Sequence, residues 1–474
     1  MKVDIKNAVL VGIQLPKINT EDFQSSLQEL QRLVTTLGYP VVGSVVQRRD
    51  SDRSPSVLGE GKLKELAKWT GGSGQVAAMF EAKLTKAALK WKEEEEDSVD
   101  TENTDDSDNN EDTLDENLST IKKKSAQIVI VDTELSPSQI RNLESASGVQ
   151  VLDRTGVIIE IFSRHARTRT ARLQVEIARL TYVAPRIRET GGGEDRGGGG
   201  VGGKGAGESS LELDRRKIRD RIKELKIELA SIGNEHQTRR ARREHELSVA
   251  LVGYTNAGKS SLMRALTGSE VLIADKLFAT LDTTIRPMYP ETTPKVLISD
   301  TVGFIKKLPH DLVASFKSTL DEALSSSLLL FVVDSSDPAF RSQLGVTMSV
   351  LEEVGAHDIP RLLILNKKDQ LSDQEHADLK HEFPDSIAIS TREKNDIKML
   401  QDRIMTYFET DMIDVDLFIP YLAKGLVGDL RAKLRVLGES YSEFGTTYKV
   451  RGPQDVIEQI QKKIPIEKSQ RTRK

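Results

Sequence analysis

LSVALVGYTNAGKSSLMRAL, residues 247–266, is the stretch that decides the fold of this chain. It begins as an apolar run of buried-strand type and ends as a helix. Between the two lies GYTNAGKS, Gly253 to Ser260, which fits G-x-x-x-x-G-K-[ST]. A strand that turns through glycines into a helix N-terminus aims backbone N–H groups at one point, where a phosphate binds. Gly253, Tyr254, Thr255, Asn256, Ala257, Gly258, Lys259 and Ser260 are therefore the expected phosphate cradle. Lys259 supplies a charge for the β and γ phosphates, and Ser260 a hydroxyl for Mg²⁺.

Three further motifs follow at the spacing such a site needs. KVLISDTVG places Asp300, Thr301, Val302 and Gly303 at the end of a second strand. Asp300 is the expected Mg²⁺ acid, and the Gly303 amide can approach a γ-phosphate because no side chain intervenes. LLILNKKD ends a third strand with Asn366, Lys367, Lys368 and Asp369. A carboxylate at Asp369 can accept from guanine N1–H and N2–H₂, donors that adenine lacks, so it selects GTP over ATP. SIAIST, 386–391, reads as a strand whose end brings the backbone of Ser390, Thr391 and Arg392 to the guanine carbonyl. Between cradle and Asp300, LFATLDTTIR (277–286) reads as a switch segment that closes on the triphosphate. It includes Phe278, Ala279, Thr280, Leu281 and Asp282. Thr280, Thr283 and Thr284 each qualify as its Mg²⁺ ligand by chemistry. Lys259, Thr280 and Gly303 are the expected catalytic groups. Phe304 follows Gly303 where a water-positioning Gln stands in Ras, so slow hydrolysis stimulated by a partner is expected.

Outside this region, residues 1–155 alternate apolar runs (8–14, 40–47, 75–80, 126–132, 149–153) with helical patterns (20–37, 60–70, 82–92, 136–146). That order predicts a parallel α/β sheet. Residues 93–117 hold fourteen acids and no Lys or Arg, and read as a disordered surface insertion. The formal charge of −5 therefore hides a remainder near +9, with 59 acids against 68 bases, which suits a phosphate-rich partner. Residues 156–184 read as one long basic helix, and 209–247 as a second helical stretch, whole or broken near Gly233. Between them, 191–207 carries eleven glycines in seventeen residues, so 156–247 is expected to form a helical hairpin with a flexible loop. After the nucleotide-binding region, 248–410, residues 411–474 read as a small α+β domain with a helix from Lys424 to Leu437. The whole is an α/β protein built on a P-loop GTPase domain with a mostly parallel sheet. The absence of cysteine removes disulfides and thiolate metal sites. No apolar run approaches a membrane span and no secretory signal is visible, so a cytoplasmic, monomeric protein is expected.

Taken together, GYTNAGKSSLMRALT, KLFATLDTTIRP, DTVGFIKKLPHDLVASFKSTLDEA and NKKD resemble the HflX family of GTPases. LGEGKLKEL (58–66), LSPSQIRNLE (135–144), 152–187 and 197–218 extend the resemblance over nearly the full length. It implies GTP hydrolysis, association with the ribosome through the large subunit and its RNA, and, as in some members, splitting of ribosomes under stress. It favours Thr280 as the switch ligand and implies at most weak adenine-nucleotide binding in the N-terminal domain. It also makes the glycine loop the expected RNA-facing element, although Lys204 and Ala206 stand where the family has Arg and Pro. Two other classes stay open: a GTPase assisting RNA modification or maturation, and a nucleotide-gated scaffold with little hydrolysis.

Overall fold

The computed structural model describes residues 6–76, 125–187, 210–241, 246–269, 277–278, 283–307, 323–423 and 425–464. Nearly all of the strand expected at 75–80, the helix at 82–92, the acidic segment 93–117 and the glycine loop 191–207 lie outside them. Among the described residues, no helix is long and apolar enough to cross a membrane. The chain divides into two compact units, Met1–Ile158 and Ile159–Lys474.

The first unit holds β1 (Ala8–Gln14), α1 (Thr20–Thr36), β2 (Val41–Arg48), α2 (Glu60–Thr70), β3 (Ile128–Val131), α3 (Pro137–Ser147) and β4 (Gln150–Asp153). The strands pair in parallel in the order β2-β1-β3-β4, as their alternation with helices predicts. The helix starts are chemically specified. Asn19 accepts from the Asp22 N–H, and Ser136 with Gln139 forms a reciprocal capping box ahead of α3. Val9, Val11, Val45, Leu63, Leu66, Val129, Val131 and Leu143 form the core between sheet and helices. Beneath it Arg154, 2% exposed, forms ion pairs with Asp132 and Glu29.

Sequence periodicity across 156–184 suggested one helix, but there are two: α4 (Arg154–His165) and α5 (Arg169–Val183). Thr168 takes extended backbone angles, and its side chain accepts from the Ala171 N–H, which starts a new helix in place of continuing the old one. The next helix, α6 (Ser210–Ala241), runs unbroken through Gly233, so the break considered there does not occur. One glycine costs a helix about 1 kcal/mol, too little to interrupt a run of good helix formers. α5 and α6 meet through Leu173, Ile177 and Leu225.

β5 (Leu247–Gly253), α7 (Lys259–Thr267), β6 (Thr284–Pro287), β7 (Val296–Asp300), β8 (Leu328–Asp334), α8 (Phe340–Glu353), β9 (Arg361–Asn366), α9 (Asp373–Glu382), β10 (Ile387–Ala388) and α10 (Lys394–Thr410) follow. Their sheet runs β10-β9-β8-β5-β7-β6, parallel except at β6. Two strand expectations change here. β10 is only two residues of the expected 386–391, and part of the switch segment is an antiparallel edge strand, β6.

β11 (Met412–Pro420), α11 (Gly425–Lys433), β12 (Arg435–Tyr441), β13 (Gly445–Pro453) and α12 (Gln454–Lys463) complete the chain. The antiparallel order is β11-β13-β12. The helix expected to reach Leu437 stops at Lys433. Gly438 weakens a helical continuation, and RVLGESY instead pairs along β13, with Leu434 fully buried at the junction.

Candidate functional site

The strands of the six-stranded sheet deliver the sequence motifs to one edge. β5 is central and fully apolar in its second half, so the loop after it has a rigid base. The loop closes on itself through Gly258, which has φ +92 and caps α7. A Cβ at Gly258 would stand 2.2 Å from Asn366 Nδ2, so only glycine fits the close approach of the two loops. Asn366 uses that approach: its Nδ2 donates to the Ala257 carbonyl at 2.8 Å. The Asn366 carbonyl in turn accepts from the N–H and Oγ of Ser335. The loop expected to read a base is thus fastened to the loop expected to hold phosphates.

Lys259 is buried, and its Nζ donates to the carbonyls of Gly253 at 3.0 Å and Tyr254 at 2.7 Å. Desolvation pushes its pKa down to about 8, against the opposing pull of the nearby Asp300 charge. An ammonium stripped of water and short of negative charge is a receptor for polyphosphate. Ser260 Oγ donates to Asp300 Oδ2 at 2.8 Å, and Asp300 is fully buried. A hydroxyl and a carboxylate converging beside the cradle are hard oxygen donors of the kind Mg²⁺ takes, so the residues present fit that ion.

Asp300 lies at the end of β7, and the chain beyond it is zipped to the cradle. Thr301 Oγ1 donates to the Leu251 carbonyl. Phe304 N–H donates to Gly253 O at 3.1 Å, and Thr255 N–H to Phe304 O at 2.8 Å. Tyr254 Oη accepts from the Lys306 N–H, so its ring anchors this segment. A Cβ on Gly303 would lie 2.9 Å from Thr255 Cα and 3.0 Å from Lys259 Nζ, leaving room there for a backbone only. Phe304 is 3% exposed: its ring belongs to the core and offers nothing to a water molecule.

Two buried oxygens point to a ligand. Thr255 Oγ1 and Asn366 Oδ1 have no hydrogen-bond partner, although such atoms are nearly always satisfied. One sits in each loop. Around the second, Lys367 Nζ pairs with Asp334 Oδ2 at 2.5 Å, and Arg392 Nη1 lies 3.3 Å from Asp369 Oδ2. Ser390 is buried, and Thr391 and Arg392 follow it on the loop facing Asp369.

Gly253 to Ser260, Asp300 to Gly303, Asn366 to Asp369 and Ser390 to Arg392 lie on the loops that follow β5, β7, β9 and β10. Phe278 is described, but its ring packs edge-on against Phe162 with centroids 4.6 Å apart. Ala279, Thr280, Leu281 and Asp282 lie outside the described residues. Sequence reading missed Asp334, Ser335 and Asp396. Asp334 and Ser335 end an apolar strand, where a polar pair signals a sheet edge that carries chemistry.

A central strand, a glycine loop on a helix N-terminus, a buried acid on the neighbouring strand and an N-K-x-D loop define a P-loop GTPase. A family model described as "50S ribosome-binding GTPase" matches residues 248–367. "GTP-binding GTPase N-terminal" matches 24–95 and 110–163, and "GTP-binding GTPase Middle Region" matches 165–243. The GTPase HflX of Gluconacetobacter diazotrophicus is 52% identical over 463 residues, 98% of this chain and 99% of its own length. That of Alkalihalophilus pseudofirmus is 36% identical over 91% of this chain and 86% of its own. The chain belongs to the HflX family of GTPases. A GTP-binding protein from Sulfolobus solfataricus, solved in complex with GDP, overlaps 85% of this chain and 98% of its own at 23% identity. The TM-score of that overlap is 0.41.

Proposed function

We propose that this GTPase is a GTP-gated switch that docks on the large ribosomal subunit and splits or rescues ribosomes under stress. The carrying observation is the Asn366 bridge to Ala257, with an unpartnered buried oxygen on each of the two loops it joins. It ties base recognition to phosphate binding in one rigid receptor. Lys259 and the N–H groups of 253–260 hold the phosphates. Asp369 accepts from guanine N1–H and N2–H₂, and the backbone of 390–392 meets the guanine carbonyl. Ser260 and Asp300, with Thr280 from the switch, would hold Mg²⁺, which would supply positive charge to offset that of the phosphates. The Gly303 amide approaches the γ-phosphate, where a side chain has no room.

With the Phe304 ring buried, the side chain next to Gly303 has nothing with which to orient water. Turnover is therefore slow in the free protein and rises on the ribosome. The large subunit is favoured by the description of the family model over 248–367 and by the basic balance of the chain outside 93–117. The working division is an N-terminal α/β domain at 1–155, the helical hairpin at 156–247, the GTPase domain at 248–410 and the α+β domain at 411–474. The glycine loop 191–207 faces ribosomal RNA, where backbone N–H groups and Lys204 meet phosphates. The chain acts as a cytoplasmic monomer. Deleting 191–207 tests the docking element: GTP-dependent co-sedimentation with large subunits is lost while GDP affinity stays within about threefold. Co-sedimentation that survives the deletion contradicts it.

A further inference from the structure

Asp396 belongs to none of the nucleotide-binding motifs, yet it joins two of them. It is the third residue of α10 and only 7% exposed. An acid at that helical position commonly reaches back to the N-cap backbone. Here the Glu393 N–H is taken by the Ser390 carbonyl at 3.0 Å, and no side chain caps the helix. Both Asp396 oxygens are committed elsewhere. Oδ1 accepts from Lys368 Nζ at 2.6 Å, and Oδ2 accepts from the Ser390 N–H at 2.7 Å. One carboxylate therefore spans the loop that carries Asp369 and the loop that carries Ser390 to Arg392.

The surroundings suit a carboxylate there and stiffen the bridge. It sits in the first turn of a seventeen-residue helix, whose dipole favours a negative charge. Burial alone would lower the Lys368 pKa, but the hydrogen bonds and charges of Asp396 and, at 3.5 Å, Glu393 together outweigh it and the net shift is upward. The Lys368 N–H also donates to Ile389 O at 3.1 Å, so backbone and side chain cross the gap together. None of these groups lies on the glycine loop that holds the phosphates.

We propose that Asp396 is a positioning residue for guanine selection: by bracing Lys368 and the Ser390 amide, it sets the gap between Asp369 and the loop facing it. The proposal rests on the reading of Asp369 as the guanine acceptor. Hydrogen bonds weaken steeply with distance and angle, so a loosened gap erodes discrimination between bases before it erodes phosphate binding. The most sensitive contact is the exocyclic amine of guanine, which inosine lacks.

The test measures GDP and inosine diphosphate affinities on the full chain carrying Asp396→Ala, Asp396→Asn or Asp369→Asn, with melting temperatures alongside. Asp396→Ala is expected to narrow the preference for GDP by about fivefold or more. Asp396→Asn keeps an acceptor for the Ser390 N–H but turns an amide donor toward Lys368, and is expected to recover only part of the preference. A parallel loss of both nucleotides with the ratio intact marks a purely structural role and overturns the proposal, as does no change at all. Asp369→Asn separates the two readings. It should shift preference from GDP toward xanthosine diphosphate, whose 2-oxo group accepts where guanine donates. If that shift occurs while Asp396→Ala leaves the ratio unchanged, only the positioning role falls. If it does not occur, the reading of Asp369 falls, and the role of Asp396 with it.

Discussion

Replacing Lys259 by methionine should make the nucleotide-free protein more stable while crippling its binding of nucleotide. The ammonium is buried, and desolvation takes its pKa from 10.5 to about 8. A base with a folded pKa below its unfolded value opposes folding wherever the unfolded chain is protonated. The full cost is present below about pH 8 and fades as pH rises from about 8 to about 10.5. A pKa lowered from 10.5 to about 8 corresponds to a cost of about 3 kcal/mol. Losing the two bonds to the Gly253 and Tyr254 carbonyls offsets about 2 kcal/mol of the gain. Lys259→Met should therefore raise the melting temperature modestly at pH 7, with the gain gone by about pH 9. Nucleotide reverses the balance, because phosphates hold the ammonium charged. At pH 8.5, GDP binding should draw about 0.7 proton from solvent, against about 0.1 at pH 7. Calorimetry in two buffers of different ionisation enthalpy measures this uptake, and Lys259→Met should abolish most of it. Uptake unchanged in the variant, or a variant that melts lower at pH 7, would refute the reasoning.

Gly258→Ala forces φ +92 on an L side chain and puts its methyl 2.2 Å from Asn366 Nδ2. GDP affinity should fall by about a hundredfold, read by fluorescent-nucleotide titration. Gly303→Ala meets the Thr255 backbone Cα at 2.9 Å, together with the Thr255 methyl and the Lys259 ammonium. It should cut hydrolysis by about tenfold or more while GDP affinity stays within about threefold, because the crowding lies on the γ-phosphate side. Arg154→Ala leaves Asp132, 3% exposed, without its cation. It should destabilise the N-terminal unit by about 3–5 kcal/mol in urea unfolding, and a loss below about 1 kcal/mol would contradict the buried-pair account.

The nucleotide site was legible because its chemistry depends on short spacings within the chain. Lys259 and Ser260 follow Gly258 directly, and apolar runs of strand length precede Gly253, Asp300 and Asn366. The N-terminal strands were legible for the same reason, through period and punctuation. What escaped was set by competition or by distance. A side-chain cap at Thr168 split a helix whose periodicity continued across the break. The partner strand β13 drew Arg435–Tyr441 out of a helical pattern. Asp396 lies 28 residues from Lys368 in sequence, and only the fold brings them to 2.6 Å. The burial of Phe304 in the core could not be read from the motif.

The most direct measurement is steady-state GTP turnover by the full chain, alone, with small subunits and with large subunits. Slow turnover alone, raised about tenfold or more by large subunits and lost in Asp369→Asn with GTP, is the predicted result. Fast turnover in the free protein, or a rate that large subunits leave unchanged, would contradict it.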